Sequence, residues 1–379
     1  YKRQALGGGG TDDWLHTVRN LAADETIAPR AATDLAAIIY TSGTTGRSKG
    51  AMIPHRAVTA NAKALHQAWG FEPGDVLLHA LPIFHVHGLY AALHTALLNG
   101  SKIIFLPHFD VAAVKQHLAE STVLMGVPTY YSRLLEDETL GRADCAHMRL
   151  FICGSAPLTE AMSDLWAERT GHRILERYGM TEAGIITSNP LAGARIAGTV
   201  GFALADFELR VCDDAGHELP RGEVGTLEIR GTCLFDGYWR KPEKTAEAVR
   251  VDGFFITGDL ATMTDDGRVS IVGRAKDLII SGGYNIYPKE IEAVLDNIQG
   301  VAESAVVGVP HSDFGEGVVA VLVATGNAVD EARIQASLDA NLARFKHPRR
   351  FFWVDALPRN AMGKVQKNNL CEVYSDAYG

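Results

Sequence analysis

The sequence predicts an α/β protein: a mostly parallel, helix-covered sheet, a small antiparallel β unit, and a separate small α+β domain at the C-terminal end. Three observations carry this. Short apolar runs alternate with helical stretches through the first half, as a parallel sheet with crossover helices requires. From Gly201 the texture changes to short strands separated by turn signals. After Gly273, helices and apolar strands alternate over about a hundred residues, the size of a small domain.

Residues 1–34 form a lead-in. The run Gly7 to Gly10 follows a short basic stretch, supplies no core, and reads as a linker or loop. Residues 35–40, Leu-Ala-Ala-Ile-Ile-Tyr, predict a short buried strand. It stops at Thr41, and a Ser/Gly/Thr-rich loop continues to Gly50. Helical periodicity then covers residues 56–69. Strand-like runs follow at 75–80, 102–106, 122–127 and 149–153, with helical stretches such as 111–119 and 159–170 between them. Short strands at 207–212, 225–230 and 267–272, with turns at Asp214-Ala-Gly216 and Asp265-Asp-Gly267, give a small β subdomain over 201–273. In the tail, a helix opens just after Pro288 and covers 289–297. Strand 303–309, helix 330–342 and strand 351–354 follow. The expected boundary lies near residues 274–276, which gives a large domain, 1–273, and a small one, 274–379.

The 379 residues are 47% hydrophobic and 21% charged, which excludes wholesale disorder. Net charge is 36 − 45 = −9, which argues against a protein held on nucleic acid or anionic lipid by bulk charge. No apolar run reaches the ~18 residues of a membrane span, and the N-terminus has no signal-peptide core. A soluble, cytoplasmic globular protein is expected. The five cysteines are odd in number and irregularly spaced, which fits neither a disulfide framework nor a CxxC metal site. Cys153 and Cys233 read as small core residues. The 14 histidines contain no HExxH, so no zinc enzyme is expected.

The strongest local signal is Tyr40-Thr-Ser-Gly43-Thr-Thr-Gly46-Arg-Ser-Lys49-Gly50, directly after an apolar run. Glycines let the backbone approach an oxyanion, and amides, hydroxyls and an ammonium donate to a polyphosphate. Against the pattern G-x-x-x-x-G-K-[ST], Lys49 is in register from Gly43. Ser48 stands at the second glycine, however, and Gly50 at the magnesium-binding hydroxyl, which disfavours a P-loop nucleotidase. A merely flexible polar loop is the other reading. The suitability of every position for phosphate argues against it.

The loop resembles the signature of the adenylate-forming superfamily: acyl- and aryl-CoA synthetases, luciferases and peptide-synthetase adenylation domains. Further motifs follow in that family's order from about residue 35 to the end. The resemblance implies the family's fold and its chemistry, in which a carboxylic acid and ATP give an acyl-AMP and pyrophosphate, and the acyl group passes to a thiol. It implies that Thr41, Ser42, Gly43, Thr44, Thr45 and Lys49 hold phosphate, with Thr44 also at the metal. Arg177-Tyr-Gly-Met-Thr-Glu182 resembles the family's Tyr-Gly-x-Thr-Glu. Tyr178 and Gly179 are then expected at adenine, Thr181 at the α-phosphate and Glu182 on Mg2+, an ion that prefers oxygen ligands and phosphates. Cys153-Gly-Ser-Ala-Pro157 resembles the loop that lines the adenine pocket with Gly154, Ser155 and Ala156; taken alone it could be a plain strand-to-helix turn.

Phe255-Ile-Thr-Gly-Asp259 implies that Asp259 accepts hydrogen bonds from the ribose hydroxyls. Gly273-Arg-Ala-Lys-Asp277 implies Arg274 at ribose or phosphate and a hinge at Lys276. Ser281-Gly-Gly-Tyr-Asn implies that Gly282, Gly283 and Tyr284 border a coenzyme A tunnel. Leu357-Pro-Arg-Asn-Ala-Met-Gly-Lys-Val365 makes Lys364 the adenylation lysine, a compact charge for the developing negative charge. Relatives carry a substantial section before the phosphate loop, whereas residues 1–40 alone precede it here. The expectation is a chain lacking that first subdomain.

Leu81-Pro-Ile-Phe-His-Val-His-Gly88 resembles the segment beside the acyl pocket, with His85 orienting the carboxylate and no role for His87. Arg177 stands where many acyl-CoA ligases have a small residue, and its planar fork matches a carboxylate. Pairing of Arg177 with Glu176 or another acid is the alternative. Together with His-Val-His-Gly, Val127-Pro-Thr129 and Tyr284-Asn-Ile-Tyr-Pro288, the pattern resembles the malonyl-CoA synthetases, including those that accept methylmalonate. Ala183-Gly-Ile-Ile186 departs from it. The expected function is therefore a ligase making malonyl- or methylmalonyl-CoA from the free acid, ATP, Mg2+ and coenzyme A. A ligase for fatty or aryl acids, or an adenylation enzyme loading a carrier protein, are the alternatives.

Overall fold

The computed structural model describes residues 26–41, 49–326, 328–360 and 363–378, and these form four sheets. The first is a two-stranded antiparallel ribbon, Leu35–Thr41 (β1) with Lys49–Pro54 (β2), running from Leu35↔Pro54 to Thr41↔Lys49. Here the expectation of a buried strand is corrected: Leu35 and Tyr40 are exposed, and only Ile39 of this stretch joins the core. A ribbon covers one face, whereas an internal parallel strand is covered on both. Residues 49 and 50, expected to be loop, open β2.

His55–Ala68 (α1) follows, with Ala57, Ala64 and Leu65 in the core. The seven-stranded sheet contains Val76–His79 (β3), Lys102–Phe105 (β4), Val123–Gly126 (β5), Leu150–Cys153 (β6), Leu175–Met180 (β7), Gly184–Ser188 (β8) and Phe202–Ala203 (β9). Its order is β4-β3-β5-β6-β7-β8-β9, parallel from β4 to β7 and antiparallel from β7 to β9. Val111–Leu118 (α2), Pro128–Glu136 (α3) and Glu160–Thr170 (α4) supply crossovers. Asp110 caps α2 by accepting from the Ala113 amide, and Thr159 caps α4 from Met162. Alternate residues of the parallel strands feed two cores. Leu77, Val123, Met125 and Ile152 face one side, and Leu78, Leu124, Phe151 and Cys153 the other.

Phe207–Cys212 (β10), Gly225–Gly231 (β11), Phe255–Met263 (β12) and Val269–Arg274 (β13) form the antiparallel unit, in that order. A five-stranded sheet follows: Ile279–Ser281 (β14), Tyr284–Ile286 (β15), Val301–His311 (β16), Gly315–Ala324 (β17) and Arg350–Trp353 (β18). Pro288–Asp296 (α5), Glu331–Asn341 (α6) and Lys367–Val373 (α7) pack on it. It too is covered on both faces, with Val306, Val318 and Leu322 on one side and Val307, Val319 and Val321 on the other. Among the described residues, no helix is long and apolar enough to cross a membrane.

At the amino end of the parallel sheet, buried Asp75 accepts from the Glu72 amide at 2.8 Å and from Thr122 Oγ1 at 2.7 Å. It also accepts from Arg149 Nη2 at 2.6 Å and Nε at 3.1 Å. Asp75, Thr122 and Arg149 each precede a strand by one residue, so one carboxylate ties the starts of β3, β5 and β6. Burial pushes its pKa up, but Arg149, the Glu72 amide and Thr122 outweigh that and hold it below the usual value. Its stabilisation is therefore complete above the ordinary carboxylate range and fades as pH falls through the depressed pKa. Asp75→Ala should cost about 3 kcal/mol at neutral pH, since it strands the partly buried Arg149. Urea unfolding read by tryptophan fluorescence checks this; a midpoint equal to that of the parent protein would refute it.

Candidate active site

In open α/β sheets, ligands bind beyond the carboxyl ends of the strands, where the strand order switches sides. That switch lies between β3 and β5, because β4 sits on the far side of β3. The segments leaving these ends carry 81–88 after β3, 127–129 after β5 and 154–157 after β6. His87–His94 leaves the first of them as a π-helical stretch, a geometry found often at functional sites.

Arg177 on β7 points into this region and is only 3% exposed. Its Nε and Nη2 are buried without a hydrogen-bond partner among the described residues. Burial pulls its pKa down to about 10. A Cβ at Gly154 would lie 2.6 Å from the guanidinium, so glycine is required for the arginine to lie where it does. Glu176, its neighbour in sequence, faces the other way by strand alternation and accepts from the Gly198 amide at 3.3 Å. Burial raises the Glu176 carboxyl to about 7. Pairing of Arg177 with Glu176 is thus not seen.

Around Arg177 stand Ser155, at φ +74°, and two histidines. His87 Nδ1 lies 3.2 Å from Ser155 Oγ, and the His87 amide donates to His85 Nδ1 at 3.2 Å. His87 Nε2 is buried and unpartnered among the described residues. Burial, reinforced by Lys364 and Arg177, lowers the His85 pKa to about 3, so that imidazole is neutral at physiological pH. Ala156 follows Ser155, half-buried in the same turn.

The second cluster is built on the β7–β8 hairpin. Gly179 sits at a bulge where a Cβ would meet the Gly184 carbonyl at 2.2 Å. Asn61 of α1 fixes the hairpin, donating to the Ile185 carbonyl at 2.8 Å and accepting its amide at 3.1 Å. Tyr178 donates its hydroxyl to Asp259 Oδ2 at 2.5 Å, and Arg274 Nε lies 2.8 Å from Asp259 Oδ1. Burial pushes the Asp259 pKa up, opposed by Arg274 and Tyr178. Thr181 is half-buried in the turn, and Glu182 Oε1 accepts from Tyr238 at 2.8 Å. Lys49 Nζ sits over the Tyr238 ring, 4.2 Å from its centroid. Thr41 lies opposite Lys49 in the ribbon, its Oγ1 3.4 Å from the Lys49 carbonyl. Ser42, Gly43, Thr44 and Thr45 lie outside the described residues.

Lys364 enters from the small sheet. Gly363, at φ +74°, lies against Thr129 of α3. Burial and Arg274 lower the lysine's pKa, while Asp259 and Glu182 oppose, so its ammonium lies in the field of those side chains. Lys289 of α5 also crosses, donating to the Ile271 carbonyl of β13 at 2.5 Å. Lys276 lies in the short turn after β13, exposed, with Nζ 3.8 Å from Asp277. Gly282, Gly283 and Tyr284 are not gathered here. The two glycines, at φ +57° and +82°, form the tight turn of the exposed β14–β15 hairpin, and Tyr284 stacks on Phe345 at 4.6 Å. Tyr238 and His87 are the residues that sequence reasoning missed.

Among the described residues, no group of three or more His, Cys, Asp or Glu could hold a metal. The donors fit an ion that takes a single carboxylate, Glu182, and otherwise binds phosphate oxygens, as Mg2+ does.

Two bodies meeting over a tyrosine–aspartate–arginine cluster with a lysine between them define the adenylate-forming fold. The chain belongs to the AMP-binding enzyme family, whose main domain matches residues 6–239 and whose C-terminal domain matches residues 290–364. It is 40% identical to the probable CoA ligase CCL8 of Humulus lupulus and 38% identical to a malonate–CoA ligase of Arabidopsis thaliana. These alignments cover 88% and 89% of this chain and 60% of each relative, so the chain spans less than two thirds of their length. ATP-bound MatB from Rhodopseudomonas palustris superposes with a TM-score of 0.94 at 52% identity, over 97% of this chain and 73% of that one. Apo MatB gives 0.80 over the same shares.

If Asp259 accepts from the ribose hydroxyls, as the family resemblance implies, Asp259→Ala should weaken AMP binding roughly tenfold to a hundredfold, the range for hydrogen bonds to a charged group. Calorimetric titration reads this directly. An unchanged Kd would remove Asp259 from the nucleotide site.

Proposed function

We propose that this chain carries the catalytic machinery of an ATP-dependent acid–thiol ligase that makes an acyl-AMP and then an acyl-CoA, with malonate or methylmalonate as the acid. The observation that carries the substrate reading is Arg177: a buried guanidinium with two donors that find no partner among the described residues, seated on a glycine. A short dicarboxylate supplies the missing acceptor at its far end and leaves its near carboxylate to react. The likeness to a malonate–CoA ligase and to MatB supports the same reading.

In the first half-reaction, a carboxylate oxygen of the acid attacks the α-phosphorus of ATP, and the bond to pyrophosphate breaks. The Lys364 ammonium stabilises the charge that develops at the carboxylate and α-phosphate. Neutral His85 orients the near carboxylate without forming an ion pair that would hold it in the ground state. Tyr178, Asp259 and Arg274 hold adenosine, Gly154 to Ala156 line the adenine pocket, and Thr41, Lys49 and Thr181 hold phosphates. Mg2+, bound by Glu182 with Thr44, would neutralise phosphate charge. In the second half-reaction, the domain at 274–379 turns about Lys276 relative to 1–273. Lys364 leaves, and Gly282 to Tyr284 approach. The CoA thiol then attacks the acyl carbonyl and AMP departs. The higher similarity to ATP-bound than to apo MatB supports an orientation suited to the first step.

Arg177→Gly should lower kcat/KM for malonate by roughly a hundredfold to a thousandfold, the cost of unpairing a buried charge. It should spare or raise turnover of monocarboxylates. Pyrophosphate release with malonate, methylmalonate, acetate and octanoate reads both. Malonate turnover that survives the substitution, or a parent protein that prefers octanoate, would replace this reading with a fatty-acid ligase. Lys364→Ala should lower adenylation by roughly a hundredfold or more while leaving thioester formation from supplied acyl-AMP intact; equal loss in both would sink the lysine's role.

A further inference from the structure

The adenylation step proposed above needs an ammonium held at one place, yet lysine carries its charge on a long flexible stem. The backbone that bears Lys364 is correspondingly tied. Arg359 and Val365 pair across the loop as an antiparallel bridge. The Asn360 amide donates to the Lys364 carbonyl at 3.0 Å, and the Gly363 amide donates to the Asn360 carbonyl at 2.9 Å.

One peptide bond is held at both ends. The Gly363 carbonyl accepts from Arg359 Nη1 at 2.5 Å, and the Lys364 amide of the same peptide donates to Asn360 Oδ1 at 3.1 Å. Arg359 is itself anchored, its Nη2 paired with Glu303 Oε2 on β16. The side chains of Arg359 and Glu303 are 28% and 31% exposed, so water screens the pair only in part. A neighbouring pair, Lys367 Nζ to Glu292 Oε1 at 2.6 Å, ties α7 to α5, and among the described residues Lys367 makes no hydrogen bond to the loop backbone.

The geometry points to Arg359 as a positioning residue for Lys364. Its planar fork transmits the place of Glu303, on β16 where it pairs along its length with β17, to the peptide that precedes the lysine. Freezing that peptide fixes the Cα–Cβ direction from which the ammonium reaches the α-phosphate, and such placement is worth rate rather than binding. Lysine at 359 keeps the charge but lacks the two-pronged geometry, so it cannot hold Glu303 and the carbonyl in the same way. This inference rests on the proposed role of Lys364.

The test separates the half-reactions in the intact protein. Adenylation is read as pyrophosphate release with malonate and hydroxylamine, and the second step as thioester formation from supplied acyl-AMP and CoA. Arg359→Gln should lower kcat for adenylation roughly tenfold to a hundredfold, with KM for ATP and thioester formation little changed. Arg359→Lys should recover part of that loss. Glu303→Gln, which leaves the arginine in place, should fall in the same half-reaction and carries the test if R359Q folds poorly. In a Lys364→Ala background, R359Q should add no further loss, since the group it positions is gone. Equal losses in both half-reactions, the same loss in Lys367→Gln, or additivity with K364A would overturn the positioning role. If K364A itself adenylates normally, the reading of Lys364 falls and this one with it. If K364A is inactive and R359Q is unimpaired, only the role of Arg359 falls.

Discussion

Burying a guanidinium without an acid beside it is unfavourable, because the lost hydration is not replaced by a partner. Among the described residues Arg177 is in that state, and the loop after β6 is shaped to admit it. Gly154 removes the one side-chain atom that would collide with it. Ser155 turns through a left-handed backbone conformation in the same loop, and its hydroxyl lies beside His87. Parallel pairing of β6 with β7 sets the distance between that loop and the arginine. The sheet can tolerate this because cores cover it on both sides and the ties of Asp75 hold its opposite end. An arginine left short of acceptors is a site that an anion completes.

The same imbalance extends across the cleft. Lys49, Arg177, Arg274 and Lys364 approach from different elements, against Asp259 and Glu182. Both carboxylates are already engaged by tyrosine hydroxyls, Tyr178 on Asp259 and Tyr238 on Glu182. Asp259 accepts from Tyr178 on one oxygen and pairs with Arg274 on the other, so its charge is already shared. Burial lowers the pKa of Lys364, and the neighbouring Arg274 lowers it further. Such a cluster is suited to polyanions, and the proposed pair of triphosphate and dicarboxylate would balance it at both ends.

Most of the parallel sheet was legible in the sequence, because apolar runs and helical periods are local properties. The strand at 35–40 was misjudged because an apolar run says nothing about its partner; only pairing with residues 49–54 shows a ribbon open on one side. Residues 42–48 of the loop expected to hold phosphate lie outside the described structure. What could not be read were contacts made at long range. Tyr238 reaches Glu182 across 56 positions and Asn61 reaches Ile185 across 124, and neither belongs to a short motif. His87 sat in a recognised segment, yet its relation to Ser155 depends on β3 and β6 being brought together by β5. Arg359 lay within the motif that singled out Lys364, and only its bonds to Gly363 and Glu303 distinguish it from a solvated charge.

The small body explains why one cleft would serve two steps in turn. Lys364 and the Gly282–Gly283 turn lie on loops of the body built on one five-stranded sheet. The lysine loop is tied through Arg359 to Glu303 of β16, and the turn through Ser281↔Gly315 to β17. β16 and β17 pair along their length, from Val301↔Ala324 to His311↔Gly315, and are packed on both faces. A close-packed unit of this kind moves as one piece rather than bending. Lys364 and the glycine turn therefore cannot exchange places by local rearrangement. If both are to act at the same acyl group, as proposed, the whole body must turn. Contacts such as Lys289 to the Ile271 carbonyl are what that turn must break. A lysine held rigidly to its sheet is then an advantage twice over, because the rotation that delivers it also removes it completely.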